Sequence, residues 1–174
     1  MDWYTTVFEM IDMRSFSNLW FWIALAVAWS SASHWVLGVP YDMVLRARRI
    51  GGQAEQDLED LTRVNVNRLL YIARVSGAWL VGFGFFLLTC LALLGFVYRV
   101  EFAQALFLLG APMSLVALLA TRTAHRIQRE AARGDLLRRR LTRCRLHTQM
   151  IGMLSIFVTA LWGMYQNLSL GVLG

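Results

Sequence analysis

The chain of 174 residues has the length of one soluble domain, but 57% apolar content, 13% aromatic content and a mean hydropathy of +0.50 indicate a lipid environment. All 17 basic residues are arginines, and against 11 acidic residues they produce a formal charge of +6. These arginines flank apolar segments, so the charge predicts contact with lipid phosphates and excludes a separate nucleic-acid-binding domain.

Four segments without acidic or basic residues are long enough to cross a bilayer, which takes about 20 apolar residues. They run from Ser15 to Tyr41, Val75 to Tyr98, Phe102 to Thr121 and Leu146 to Gly174. The N-terminal residues 1–18 contain three acidic residues and lack the basic start of a signal peptide. We therefore expect the first segment to be retained, with residues 1–18 at the periplasmic surface of the membrane.

The arginines predict the orientation of these segments. They are concentrated between the first and second segments and between the third and fourth, and only Arg14 and Arg99 lie elsewhere. Because short Arg-rich loops are retained in the cytoplasm, we expect both termini and the turn at 99–101 on the periplasmic side of a bacterial inner membrane.

The connections are predicted to continue as helices beyond the membrane. One helix covers Tyr41–Ile50, ends at two glycines, and is followed by a helix from Gln53 into the second span. The third span is expected to run on through Arg133 and to turn at Gly134. The predicted fold is an all-α, polytopic four-helix bundle of two long antiparallel hairpins, 19–98 and 102–174, with cytoplasmic helical extensions.

Small residues recur at helical spacing in every span and predict close packing of helices, within the chain or with another subunit. The predicted packing residues are Ala24, Ala28, Ala32, Gly82, Gly110, Ser155, Thr159, Gly163 and Asn167. In the third span Pro112 predicts a local kink, with Ser114 near enough to bind the freed carbonyl.

Two arginine clusters lie next to the spans and predict docking of anionic lipid headgroups first and of a protein partner second. They consist of Arg46, Arg48 and Arg49, and of Arg138, Arg139, Arg140, Arg143 and Arg145. An acidic run from Glu55 to Asp60 is predicted to pair with arginine. It has no adjacent nucleophile, metal ligand or phosphate loop, so we expect no enzyme.

Histidines and cysteines give only sparse indications of cofactors. His34 and His147 lie on predicted spans and could ligate a b-type haem, although their expected depths differ. The alternative is ordinary hydrogen-bonded histidines at the interface. Cys90 and Cys144 form no CxxC motif and no cluster site by themselves, so we expect no cofactor.

The stretch SFSNLWFWIALAVAWSSASHWVLGVPYDMVLRARR from Ser15 to Arg49, with the later motifs GGQ and VNVNRLL, resembles a group of small alphaproteobacterial inner-membrane proteins. Some members of that group are labelled components of the SufBCD iron–sulfur assembly complex. The resemblance implies a membrane family and carries no known functional motif.

The leading functional hypothesis is a non-catalytic accessory or scaffold subunit of a larger inner-membrane assembly. It rests on the small-residue stripes, the seven tryptophans and the lack of a recognisable active site. Two alternatives stay open: a small membrane subunit of a multi-subunit transporter, and a haem-binding electron carrier. The expected partners are membrane lipids and other membrane-protein subunits or further copies of the chain.

Overall fold

The computed structural model describes Phe16 and residues 19–171, which are helical apart from one pair of two-residue strands and short connecting turns. In chain order the elements are α1 (Leu19–His34), β1 (Trp35–Val36), β2 (Val39–Pro40), α2 (Tyr41–Ile50), α3 (Gln53–Ala92), a π-helix (Leu93–Val97), α4 (Glu101–Arg129) and α5 (Gly134–Gly171). Three helices, namely α3 with the π-helix, α4 and α5, are long and apolar enough to cross a membrane. The predicted helical class is confirmed, and three of the four predicted spans fall on these helices. Most of the predicted interfacial N-terminus lies outside the described residues.

The helix of the first predicted span is shorter than expected, since α1 ends at His34 and the predicted span extends to Tyr41. The chain instead turns back through β1 and β2, which pair in antiparallel register. At the tip of this turn Leu37 and Gly38 have φ values of 54° and 73°, as two-residue hairpin turns require. Pro40 favours an extended residue before it and cannot donate a helical hydrogen bond, which explains why the helix does not continue.

The helices outside the apolar segments agree closely with the prediction. α2 covers Tyr41–Ile50, and α3 begins at Gln53 and continues without a break into its apolar part. Between them Gly51 and Gly52 have φ values of 65° and 54°, which glycine adopts without steric cost.

The end of α4 differs from the prediction, because this helix ends at Arg129 and not at Arg133. Ala131 adopts a left-handed φ of 44°, and the N–H of Ala132 donates to the carbonyl of Ile127 at 3.1 Å. This bond spans five residues and closes the helix in the manner of a Schellman cap.

The largest buried core lies outside the apolar segments, in a region that we call the stalk. The stalk comprises α2, α3 up to Arg74, α4 from Arg122 and α5 up to Arg145. Its core contains side chains from the β1–β2 turn, from the connection between α4 and α5, and from all four of these helical parts. They are Val36, Val39, Val44, Ala47, Leu58, Val66, Leu70, Ala124, Ile127, Ala132, Leu137, Leu141 and Cys144. Apolar burial therefore holds the stalk together as it would a soluble bundle.

Beyond the stalk, the helices pack in the order α3, α4, α5, α1. Each inner helix contacts two neighbours, whereas α1 and α3 are not packed against each other along their length. The arrangement leaves one flank of α3 and one flank of α1 uncovered by the described part of the chain.

Candidate functional site

Three arginines of the larger predicted cluster form ion pairs within the chain. Arg138 binds Glu55 through a short salt bridge, and Arg140 binds Glu130 through two hydrogen bonds of 2.9 and 2.7 Å. The side chains of Arg138 and Arg140 are only 20% and 19% exposed, so both are structural contacts within the stalk. Arg139 is more exposed, and its Nε lies 2.7 Å from a carboxylate oxygen of Asp135.

Two residues of the acidic run of α3 form ion pairs, Glu55 with Arg138 and Asp60 with Arg63. Besides Glu55, Glu59 accepts a hydrogen bond of 2.7 Å from the backbone N–H of Gly134, the first residue of α5. Carboxylates at this end of a helix also interact favourably with its dipole. These contacts hold the distal ends of α3 and α5 together.

Arg145 forms an internal clamp at the junction of the stalk and the apolar segments. Its Nε donates to the carbonyl of Ser33 at 3.1 Å, and its guanidinium lies 3.9 Å from the ring centroid of Tyr41. It thus binds one of the last-turn carbonyls of α1, which have no partner within the helix, and stacks on an aromatic face. Tyr41 also lies 3.4 Å from the hydroxyl of Thr142.

The remaining predicted arginines, Arg46, Arg48, Arg49 and Arg143, are exposed and form no salt bridge within the described residues. Arg48 and Arg143 line a common groove between α2 and α5. The structure thus separates arginines that hold the stalk from exposed arginines that form no ion pair within the described residues.

The small-residue stripe of α5 forms the packing face for α1 and α4. Ser155, Thr159 and Gly163 are buried, and a Cβ on Gly163 would lie 3.3 Å from the Cβ of Phe16. Sequence reasoning missed Gly152, on which the ring of Trp29 lies. Its signal was its position three residues before Ser155, on the same face of the helix.

Other predicted packing residues are less covered. Ala24, Gly82 and Asn167 are exposed, and Ala28, Ala32 and Gly110 are half-buried. On α1 the buried residues are instead Leu25 and Trp29. Within the described residues the indole N–H of Trp29 and the hydroxyl of Thr159 are buried without a hydrogen-bond partner.

A proline and a serine meet at the contact of α4 with α5. Pro112 has no N–H, so the carbonyl of Leu108 lacks its helical partner. Ser155 on α5 donates to that carbonyl at 3.3 Å. Ser114, which the sequence suggested for this role, donates to the carbonyl of Ala111 at 2.6 Å.

Gln104 joins three elements at the opposite end of the apolar segments. Its Nε2 donates to the carbonyl of Gly95 in the π-helix at 2.8 Å. Its Oε1 accepts from the indole of Trp162 at 2.9 Å and from Gln166 at 2.6 Å. Gln104 is 2% exposed, and these bonds satisfy an amide that would be costly to bury alone. Gln104 is not among the packing residues predicted from the sequence.

The two haem candidates are both exposed. His147 lies 2.7 Å from the carbonyl of Arg143 through Nδ1, and the ring of His34 stacks edge-on against Trp35. In the described part of the chain no group of three or more His, Cys, Asp or Glu side chains could hold a metal ion, and both cysteines are free. Haem ligation stays a hypothesis.

Comparison with known proteins adds no relative. No family model matches the chain, and no curated protein or solved structure is significantly similar to it. The resemblance to the alphaproteobacterial group therefore stays a prediction.

Proposed function

We propose that the chain is a non-catalytic accessory or scaffold subunit of a larger inner-membrane assembly. The observation that carries this proposal is the uncovered outer face of α3 beyond the stalk. Only 6% of its most apolar 18-residue segment is buried, against 28% for the corresponding segment of α5. Trp79 on this face is 84% exposed.

The shape of the outer face of α3, in which small residues lie beside bulky ones, favours a helix as its partner. Ala78 and Gly82 are exposed one turn apart, and nothing lies within 4 Å of a Cβ placed on Gly82. The bulky, exposed side chains of Trp79, Phe83 and Phe86 lie along one side of this small-residue pair. Pairs of small residues four apart let two membrane helices approach closely, and aromatic residues are enriched at protein interfaces.

The same kind of contact already exists inside the chain, on α5. There Gly152 accommodates the ring of Trp29 and Gly163 accommodates Phe16. The open position at Gly82 is a further site of this type, and the partner subunit would supply its large side chain.

We also infer that α1 is a fourth span. It lies antiparallel to α5, with Phe16 at Gly163 and Ser33 at Arg145. Between Arg145 and Gly163 α5 rises about 27 Å, close to the thickness of a hydrocarbon core of about 30 Å. The distribution of arginine then favours an orientation with both termini in the periplasm and the stalk in the cytoplasm of a bacterium.

Purification of the tagged chain in mild detergent tests the subunit proposal. We expect at least one membrane protein to co-purify in a fixed ratio, and Gly82→Leu to abolish this association because leucine fills the open position. The variant should keep its own fold, since the position is open. Ala160→Leu, which enlarges an exposed small residue on α5, is the matched control and should retain the partner.

A monomer without a stoichiometric partner would contradict the proposal. So would equal loss of the partner in Gly82→Leu and Ala160→Leu, because the outer face of α3 would then have no special role.

A further inference from the structure

We propose that the groove between α2 and α5 binds the phosphate of an anionic phospholipid. The groove has a volume of about 410 Å³. From α2 it is lined by Tyr41, Leu45 and Arg48, and from α5 by Arg139, Arg143 and Leu146. The proposal is independent of the proposed function, because a chain without any protein partner would still hold the lipid.

The charge of the groove favours an anion. Four arginines line it together with one carboxylate, Asp135. Asp135 lies 2.7 Å from Arg139, and Glu55 binds Arg138. Arg48 and Arg143 have no such partner within the described residues. A guanidinium binds phosphate through charge-assisted hydrogen bonds, so these two positions supply the ligands.

The depth of the groove matches a lipid headgroup. Arg145 is the last charged side chain of the sequence, and Leu146 begins its final apolar segment. Arg143 lies about 3 Å further from that apolar segment along the helix axis than Arg145. The headgroup layer is about 5–7 Å thick on each side of the bilayer, so Arg143 falls inside it.

An apolar track continues from the groove along α5 and distinguishes a lipid from a free phosphate. Leu146, Met150, Met153 and Phe157 are all exposed. Their spacings of three and four residues place them on one helical face, and Arg139 and Arg143 precede them on the same face. A phospholipid would place its phosphate between the arginines and an acyl chain along this track.

Lipid titration of the delipidated full-length chain, followed by native mass spectrometry, tests the assignment. The probes are phosphatidylglycerol and the zwitterionic phosphatidylcholine. We expect the wild type to prefer phosphatidylglycerol, and Arg48→Gln with Arg143→Gln to lose about tenfold in affinity for it, equivalent to about 1.4 kcal/mol. Binding of phosphatidylcholine should not change.

The control removes two charges elsewhere. Arg68→Gln with Arg74→Gln alters exposed arginines of α3 near the end of the stalk and should change the affinity by less than about twofold, since only diffuse attraction is lost. An equal loss in this control would overturn the proposal. Displacement of the lipid by excess inorganic phosphate would also overturn it, because the site would then bind a free anion.

A conservative variant separates binding from folding. Arg48→Lys with Arg143→Lys keeps both charges but loses the planar guanidinium. It should retain the helical circular dichroism of the wild type and lose part of the preference for phosphatidylglycerol. A fully retained preference would show that charge alone suffices and would contradict specific guanidinium binding.

Discussion

A single missing hydrogen bond explains one contact between α4 and α5. The carbonyl of Leu108, left free by Pro112, accepts from Ser155 of the next helix, and inside a membrane no water can replace that donor. The sequence indicated Pro112 and Ser155 as separate features. Their pairing could not be predicted from it, because it depends on how α5 is rotated against α4. The arginine ion pairs were unpredictable in detail for the same reason.

Replacement of Ser155 tests this contact. Ser155→Ala should lower the free energy of unfolding by about 0.5–1.5 kcal/mol, as for other hydrogen bonds between membrane helices. In a Pro112→Ala background the same change should cost less, because residue 112 then supplies the missing N–H. Unfolding in mixed micelles of mild detergent and dodecyl sulfate measures both costs. Equal costs in the two backgrounds would refute the pairing.

The helix α5 shows how well the spacing of small residues in the sequence predicts which of them are buried. Of the predicted stripe, Ser155, Thr159 and Gly163 are buried and Asn167 is exposed, and Gly152, which the stripe omits, is buried as well. A constant spacing of four residues drifts by about 40° per step on a helix of 3.6 residues per turn. This drift agrees with the exposure of Asn167 and with the contact of Gln166 with Gln104. The end of α1 at His34 was not predicted, because the turn that follows it is as apolar as the helix.

Substitution of Gly152 tests the packing of α1 on α5. A Cβ there would lie 2.7 Å from the Trp29 ring, which is 6% exposed and has little room to move. Gly152→Ala should therefore lower the free energy of unfolding by about 1–3 kcal/mol. Gly82→Ala meets no atom within 4 Å, so it should leave stability unchanged or raise it by up to about 1 kcal/mol through helix propensity. The same micelle titration compares them, and similar values for both variants would argue against the Trp29 contact.

For the whole molecule, hydropathy and charge were sufficient to predict a membrane protein with helices that extend into a stalk. The packing order of the helices was not predictable, because side chains that face lipid and side chains that face another helix have the same apolar composition. The stalk differs in this respect. There, water makes burial favourable, and the alternation of apolar and charged residues indicates which face is inside.

The orientation of the stalk is the central claim at this scale, because it decides on which side of the membrane the stalk and the lipid site lie. We replace Cys90 and Cys144 by alanine and place single cysteines at two exposed positions, Gln56 in the stalk and Val100 in the turn before α4. A membrane-impermeant maleimide is then added to intact spheroplasts. We predict that the Val100→Cys chain is labelled at once and that the Gln56→Cys chain is labelled only after the membrane is permeabilised. Labelling of Gln56→Cys in intact spheroplasts, with Val100→Cys protected, would contradict this topology.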